Sequence, residues 1–257
     1  MIYNTKIIEY DDYLHIEWFE RPIIRKEEIN EKEERKEIIE DIETIINNPK
    51  RSEKQEVHNL TVSLNRSKNN LFRIARSNEW DLFITITFDR KITDASDYNV
   101  VSKKITTFLN NLRKRGSPEL KYLIVPELHK DGKNYHFHGL LYRADSLILE
   151  DSGHIDKFGE KIYNISNWKI GFTTAQRIKD QNAVRNYIGK YITKDLMNRL
   201  KYKKRYFASK NCNVNEEMFS QNSIQDIYDL YGDRISYIKT INVNGVNRIK
   251  YMEILKD

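Results

Sequence analysis

Tyr122-Leu-Ile-Val-Pro-Glu-Leu-His129 and Tyr135-His-Phe-His-Gly-Leu-Leu-Tyr142 are two strand-like runs joined across Asp131-Gly132, a dipeptide suited to the left-handed backbone of a hairpin turn. With Asp131 and Gly132 as the central turn residues, Lys130 pairs with Lys133 and Glu127 lands opposite His136. Val125 then faces His138, and His129 faces Asn134. Side chains alternate across a strand, so His136 and His138 share one face while Phe137 enters the opposite layer. The register therefore sets a carboxylate beside two imidazoles, a two-His, one-carboxylate group with positions left open. Pro126 favours a bulge or an edge, and a slip of one residue would turn Glu127 away, so His129 stands as the alternative third ligand. Such a donor set suits Mn²⁺, Zn²⁺ or Fe²⁺.

Working outward, Leu82-Phe-Ile-Thr-Ile-Thr-Phe88 reads as a core strand. A helix follows over about Ala95–Lys114, with Tyr98, Val101, Ile105, Phe108 and Leu112 at helical spacing and Gly116-Ser117-Pro118 to stop it. Past an irregular, hairpin-rich stretch, Phe172–Ile178 reads as a fourth strand, Asp180–Leu200 as a helix and Arg205–Ser209 as a fifth strand. The order predicts an α+β fold, a mostly antiparallel central sheet of about five strands covered by helices on one face.

Upstream, the first 20 residues alternate as one or two strands, and Ile38, Ile39, Ile42, Ile45 and Ile46 mark an amphipathic helix over about Arg25–Asn47. A second helix is expected over Asn65–Ser77. The tail offers a short helix near Ile224–Tyr231 and a hairpin around Asn244-Gly245. Residues 1–60 read as an accessory segment, 61–211 as the main domain and 212–257 as a C-terminal extension.

The second motif is Tyr187-Ile-Gly-Lys-Tyr-Ile-Thr-Lys194, Tyr-x-x-Lys written twice. On an α-helix, Tyr187, Lys190, Tyr191 and Lys194 form one stripe. A buried stripe rarely holds two lysines, and a solvated one rarely two aromatics. Phenols beside ammonium groups suit attack on a phosphodiester, because the cations hold phosphate and favour phenolate.

The 257 residues carry a net charge of +6, divided as −6 over residues 1–50 and +12 over the rest. A basic body points to a polyanionic partner, and Arg113, Lys114, Arg115, Lys201, Lys203, Lys204 and Arg205 are the candidate DNA contacts. A single cysteine, Cys212, excludes a disulfide framework and a zinc site of paired cysteines. No apolar run reaches the roughly 18–20 residues needed to cross a bilayer. The opening residues, with Asp11, Asp12 and Glu17, do not read as a secretion signal, so a cytoplasmic protein is expected.

Taken together, the chain resembles the HUH-type rolling-circle replication initiators of single-stranded DNA phages and small bacterial plasmids or integrated elements. The likeness covers about residues 65–210. Phe83-Ile-Thr-Ile-Thr-Phe88 is similar to the family's first motif, His136-Phe-His-Gly-Leu-Leu141 to its metal-binding second, and Tyr187–Lys194 to its third in the two-tyrosine form. The resemblance implies an HUH, RRM-like palm and Mg²⁺ or Mn²⁺ held by His136, His138 and Glu127 against the scissile phosphate. It implies attack by Tyr187 or Tyr191 to leave a 5′-phosphotyrosine and a free 3′-OH, with Lys190 and Lys194 positioning the phosphate. The partners implied are single-stranded DNA or an origin hairpin, and a host helicase and polymerase. No Walker-type phosphate loop is present, and the acidic stretch 27–43 is a candidate shield for the basic groove. A relaxase or transposase of the same chemistry, a non-catalytic origin binder and an iron oxygenase are the competing readings.

Overall fold

A computed structural model describes residues 1–25, 49–191, 200, 203–243 and 246–256, with 49–58 described by backbone alone. The helix expected over Arg25–Asn47 and the acidic shield over 27–43 fall almost wholly outside them. The chain divides into two compact units, Leu60–Val214 and the paired segments Met1–Asn59 with Asn215–Asp257.

The larger unit is built, among the described residues, on seven strands rather than the expected five. They are β3 (Leu82–Ile86), β4 (Lys121–Leu128), β5 (Tyr135–Tyr142), β6 (Leu149–Ile155), β7 (Lys161–Ile165), β8 (Thr173–Arg177) and β9 (Phe207–Ala208). They lie in the order β6-β7-β8-β3-β5-β4-β9 with every pairing antiparallel. The two extra strands come from the hairpin-rich stretch, where Asp156 Oδ1 accepts from the N–H of Phe158 and Glu160 to close the β6–β7 turn.

Helices cover both faces of this sheet, not one. Helix α1 (Pro49–Arg76) starts 16 residues before the expected Asn65. It turns Leu64, Leu71, Ile74 and Ala75 onto Leu123, Val125 and Leu140. Helix α2 (Tyr98–Lys114) is capped by the Asp97 side chain, which accepts from Asn99 N–H at 2.7 Å. Its Val101, Ile105, Phe108 and Leu112 pack on Ile84, Ile86, Ile124 and Phe137. The one-face expectation fails because β3, β4 and β5 carry apolar residues at both parities; period-two alternation marks a single covered face only when the other is polar.

Helix α3 (Gln181–Tyr187) is capped by Asp180 and tightens into a 3-10 turn over Ile188–Tyr191, where a continuous α-helix to Leu200 was expected. Gly189 explains the change: a Cβ there would sit 2.2 Å from Phe72 Cζ, so the turn closes directly onto that ring. Residues 192–199, Lys194 included, lie outside the described residues.

The smaller unit is a second antiparallel sheet, β10-β1-β2-β12-β11. It joins β1 (Ile2–Glu9) and β2 (Tyr13–Ile24) to β10 (Glu217–Ser220), β11 (Ile235–Val243) and β12 (Asn247–Leu255). Helix α4 (Ile224–Tyr231) packs Ile227 against Ile16, Met252 and Ile254. Segments read as separate extensions at the two ends of the sequence thus share one core. No helix among the described residues is long and apolar enough to cross a membrane.

Candidate metal and tyrosine site

The β4–β5 hairpin pairs Glu127 with His136, Pro126 with Phe137 and Val125 with His138, the expected register, with no slip at Pro126. The missing N–H is tolerated because β9 pairs β4 only at Leu123 and Ile124 and leaves the rest of that edge open. The turn itself is wider than expected. His129 N–H donates to Asn134 O and Gly132 N–H to His129 O, both at 2.7 Å, so Lys130 and Lys133 belong to a four-residue loop and do not pair. Asp131 organises that loop by accepting from the N–H groups of Lys133 and Asn134, which hold its carboxyl well below the usual carboxylate range. Gly132 takes φ +65°. Two residues added symmetrically leave the register unchanged.

Glu127 Oε2 lies 2.6 Å from His136 Nε2 and 2.8 Å from His138 Nε2. One donor atom from each of the three residues falls within 4.8 Å of the others. A single carboxylate oxygen can approach two imidazole nitrogens this closely only by sharing a proton or a cation with each. On the far side of its ring, His138 Nδ1 is 3.1 Å from Thr85 Oγ1, which fixes the ring with Nε2 toward Glu127. Burial, then the His136 charge, push the His138 pKa down to about 4, against the opposing pull of Glu127. The imidazole is thus neutral near pH 7, the form that ligates metal. The cluster fits a divalent cation in donor type, number and orientation. His129 stands at its rim, its ring 5.6 Å from that of His136, and is not among the three clustered donors.

The tyrosine motif meets this cluster on the same face of the sheet. The Tyr191 ring stacks on His138 with centroids 3.7 Å apart and planes 9° from parallel. Tyr187 meets Tyr191 edge-on at 5.4 Å, and Lys190 Nζ sits 3.5 Å from the centre of the Tyr187 ring. Hydrogen bonding to Lys190, then to Tyr191, lowers the Tyr187 pKa, whereas burial and Tyr187 raise that of Tyr191.

Two site residues were quoted from sequence only as part of the Phe83–Phe88 motif, with no role at the site. Phe83, on β3, touches the rings of His138, Tyr187 and Tyr191. Thr85, two residues on, holds His138. Their signal was the period of two itself, Phe83 and Thr85 sharing a face, but which strand neighbours β5 is not readable from one sequence.

The basic candidates are not gathered at this cluster. Arg113 donates to Leu120 O and Asn211 Oδ1; Lys114 and Arg115 are exposed at the end of α2, on the opposite face of the sheet. Lys203 and Lys204 lie against the Tyr98 and Phe207 rings on that side. Arg205 donates to Ser63 O, Ser63 Oγ and Ser67 Oγ of α1. Lys201 lies outside the described residues.

Neither the curated proteins nor the solved structures compared with the chain return a match. Residues 81–196 match a family model of replication-associated proteins, the ORF2 type. That segment holds Phe83, Thr85, Glu127, His136, His138, Tyr187 and Tyr191, and the match supports a rolling-circle replication initiator.

Proposed function

We propose that the chain nicks and rejoins single-stranded DNA at a replication origin through a 5′-phosphotyrosine, starting rolling-circle replication, with residues 61–211 as the endonuclease domain. The observation that carries this reading is the ring-to-ring contact between the Tyr-Lys-Tyr turn and the Glu127–His136–His138 cluster. An iron oxygenase or a plain origin binder has no use for two phenols and an ammonium group against a cation site.

Glu127, His136 and His138 would hold Mg²⁺ or Mn²⁺. The bound ion supplies charge neutralisation and orientation of a phosphodiester. The chain's own groups do the rest. Thr85 keeps His138 in place, Lys190 offers a cation to the phosphate, and Phe83 supports the tyrosine rings from the sheet. The phosphodiester energy is retained in the phosphotyrosine, so resealing needs no nucleotide. On this reading the protein works in the bacterial cytoplasm on an origin hairpin, beside a host helicase and polymerase.

The test is a denaturing-gel search for a protein–DNA covalent adduct, using single-stranded origin DNA with Mn²⁺ or EDTA. An EDTA-sensitive adduct lost in the Tyr187→Phe/Tyr191→Phe double variant is expected. Tight, metal-indifferent binding with no adduct would replace the reading with a non-catalytic origin binder.

A further inference from the structure

We infer that the two tyrosines are not equivalent: Tyr187 is the attacking nucleophile, and Tyr191 is a positioning residue that clamps His138. The inference rests on the proposed nicking reaction and goes beyond it, since the doubled Tyr-x-x-Lys motif on a regular helix would present both phenols alike.

The asymmetry originates in the 3-10 turn. In that geometry residues three apart eclipse one another. Ile188 and Tyr191, the two ends of that turn, therefore share the inward side, while Lys190 is exposed along with Tyr187, the last residue of α3. The exposures follow: Ile188 is 0% and Tyr191 4% accessible, against 43% for Tyr187. The Tyr191 ring lies flat on His138, with the Phe83 ring beside both and within 24° of parallel to Tyr191. A ring stacked on His138 and 4% accessible cannot swing toward a phosphate without uncovering His138. Tyr187 stands on the solvent side, with the Lys190 ammonium against its ring. Gly189 maintains the arrangement, because any side chain there would meet Phe72 and lift the turn.

In the step assigned, the Tyr187 phenolic proton leaves to water and its oxygen bonds to the scissile phosphorus, which stays on the 5′ end of the downstream strand. The P–O3′ bond breaks with its electron pair on the 3′ oxygen, which takes a proton from water. Resealing is the reverse at the same phenol, so one tyrosine serves both directions.

The sequence makes the test direct. Trypsin cuts after Arg185 and Lys190, so Asn186–Lys190 carries Tyr187 and a separate peptide carries Tyr191. Mass spectrometry of the adduct from wild-type protein and origin DNA should find the nucleotide on Asn186–Lys190, and Tyr187→Phe should form none. Calorimetric titration with MnCl₂ alone tests the clamp without any reaction. Tyr191→Ala should weaken Mn²⁺ binding by about 10-fold or more, whereas Tyr191→Phe, which keeps the ring, should stay within about 2-fold of wild type. An adduct on the Tyr191 peptide overturns the assignment of the nucleophile. Equal Mn²⁺ affinity in Tyr191→Ala and wild type overturns the clamp. No adduct in any protein, with Mn²⁺ binding as expected, would instead sink the nicking reaction and leave the clamp standing.

Discussion

The two faces of the seven-stranded sheet are made by the same strands and could hardly differ more. On one, Ile84, Ile86, Ile124 and Phe137 are sealed beneath α2. On the other, Thr85, Glu127, His136 and His138 sit among Phe83, Val125 and Leu140, with the Tyr187–Tyr191 turn above them. Neighbours in sequence belong to opposite worlds: Phe137 is wholly buried in apolar packing between His136 and His138. The dry face holds the backbone still, and a still backbone keeps three donors within reach of one cation.

The largest expected effect breaks that division from the dry side. Phe137→Ala removes a fully buried ring beneath α2 and should cost about 3–5 kcal/mol of unfolding free energy in urea denaturation. His136→Ala, one residue earlier and on the other face, should cost about 1 kcal/mol or less while abolishing the increase in stability that Mn²⁺ gives wild type. Equal destabilisation by the two would mean that the faces do not divide their work.

A second effect comes from the site face alone. An unfolded imidazole takes a proton below about pH 6.5, but folded His138 does so only below about pH 4. Between these values the unfolded state binds more protons, so stability falls as pH drops and is restored in full above about pH 6.5. Measured in EDTA, the difference between wild type and His138→Gln should change by up to roughly 3 kcal/mol across that window. A flat difference would mean that His138 is not buried as described.

How much of this was legible depended on how local the cause was. The hairpin register was readable because Asp131-Gly132 and strict alternation lie close together in the chain, and an even change in loop length leaves it intact. Strand number was not: the two strands missed, β6 and β7, lie mostly toward solvent, and Ile165 alone of their twelve residues is buried. Neither has a period to detect. The second sheet pairs Thr5 with Ser220, a match that no local pattern encodes. The 3-10 turn was hidden for a similar reason, since one glycine inside a helical pattern does not by itself mark where the helix tightens, and the Phe72 ring that Gly189 closes onto comes from a distant helix.

Thr85 offers a finer cut between the faces. Thr85→Val keeps the shape of β3 but removes the hydroxyl at His138 Nδ1, so the ring loses its anchor without any loss of core volume. Mn²⁺ affinity should fall by about 10–100-fold, with the urea midpoint shifted far less than by Phe137→Ala. Serine at the same position should recover most of the affinity. A valine variant that binds Mn²⁺ as wild type does would show that stacking by Tyr191 alone orients His138.

The smallest effect concerns which basic residues serve the fold and which serve a polyanion. Arg205 reads from sequence as a DNA contact, yet its guanidinium is spent on Ser63 and Ser67 of the helix that roofs the site face. Arg205→Ala should therefore cost about 1–2 kcal/mol of stability and leave the salt dependence of single-stranded DNA binding where it was. Lys203 and Lys204 are exposed, and neutralising either should lower the slope of log affinity against log salt by a little under one if it meets a phosphate. A fall in that slope for Arg205→Ala would return Arg205 to the DNA surface. It would also mean that α1 is held over the site by its apolar stripe alone, Leu64, Leu71 and Ile74 pressed on Leu123, Val125 and Leu140.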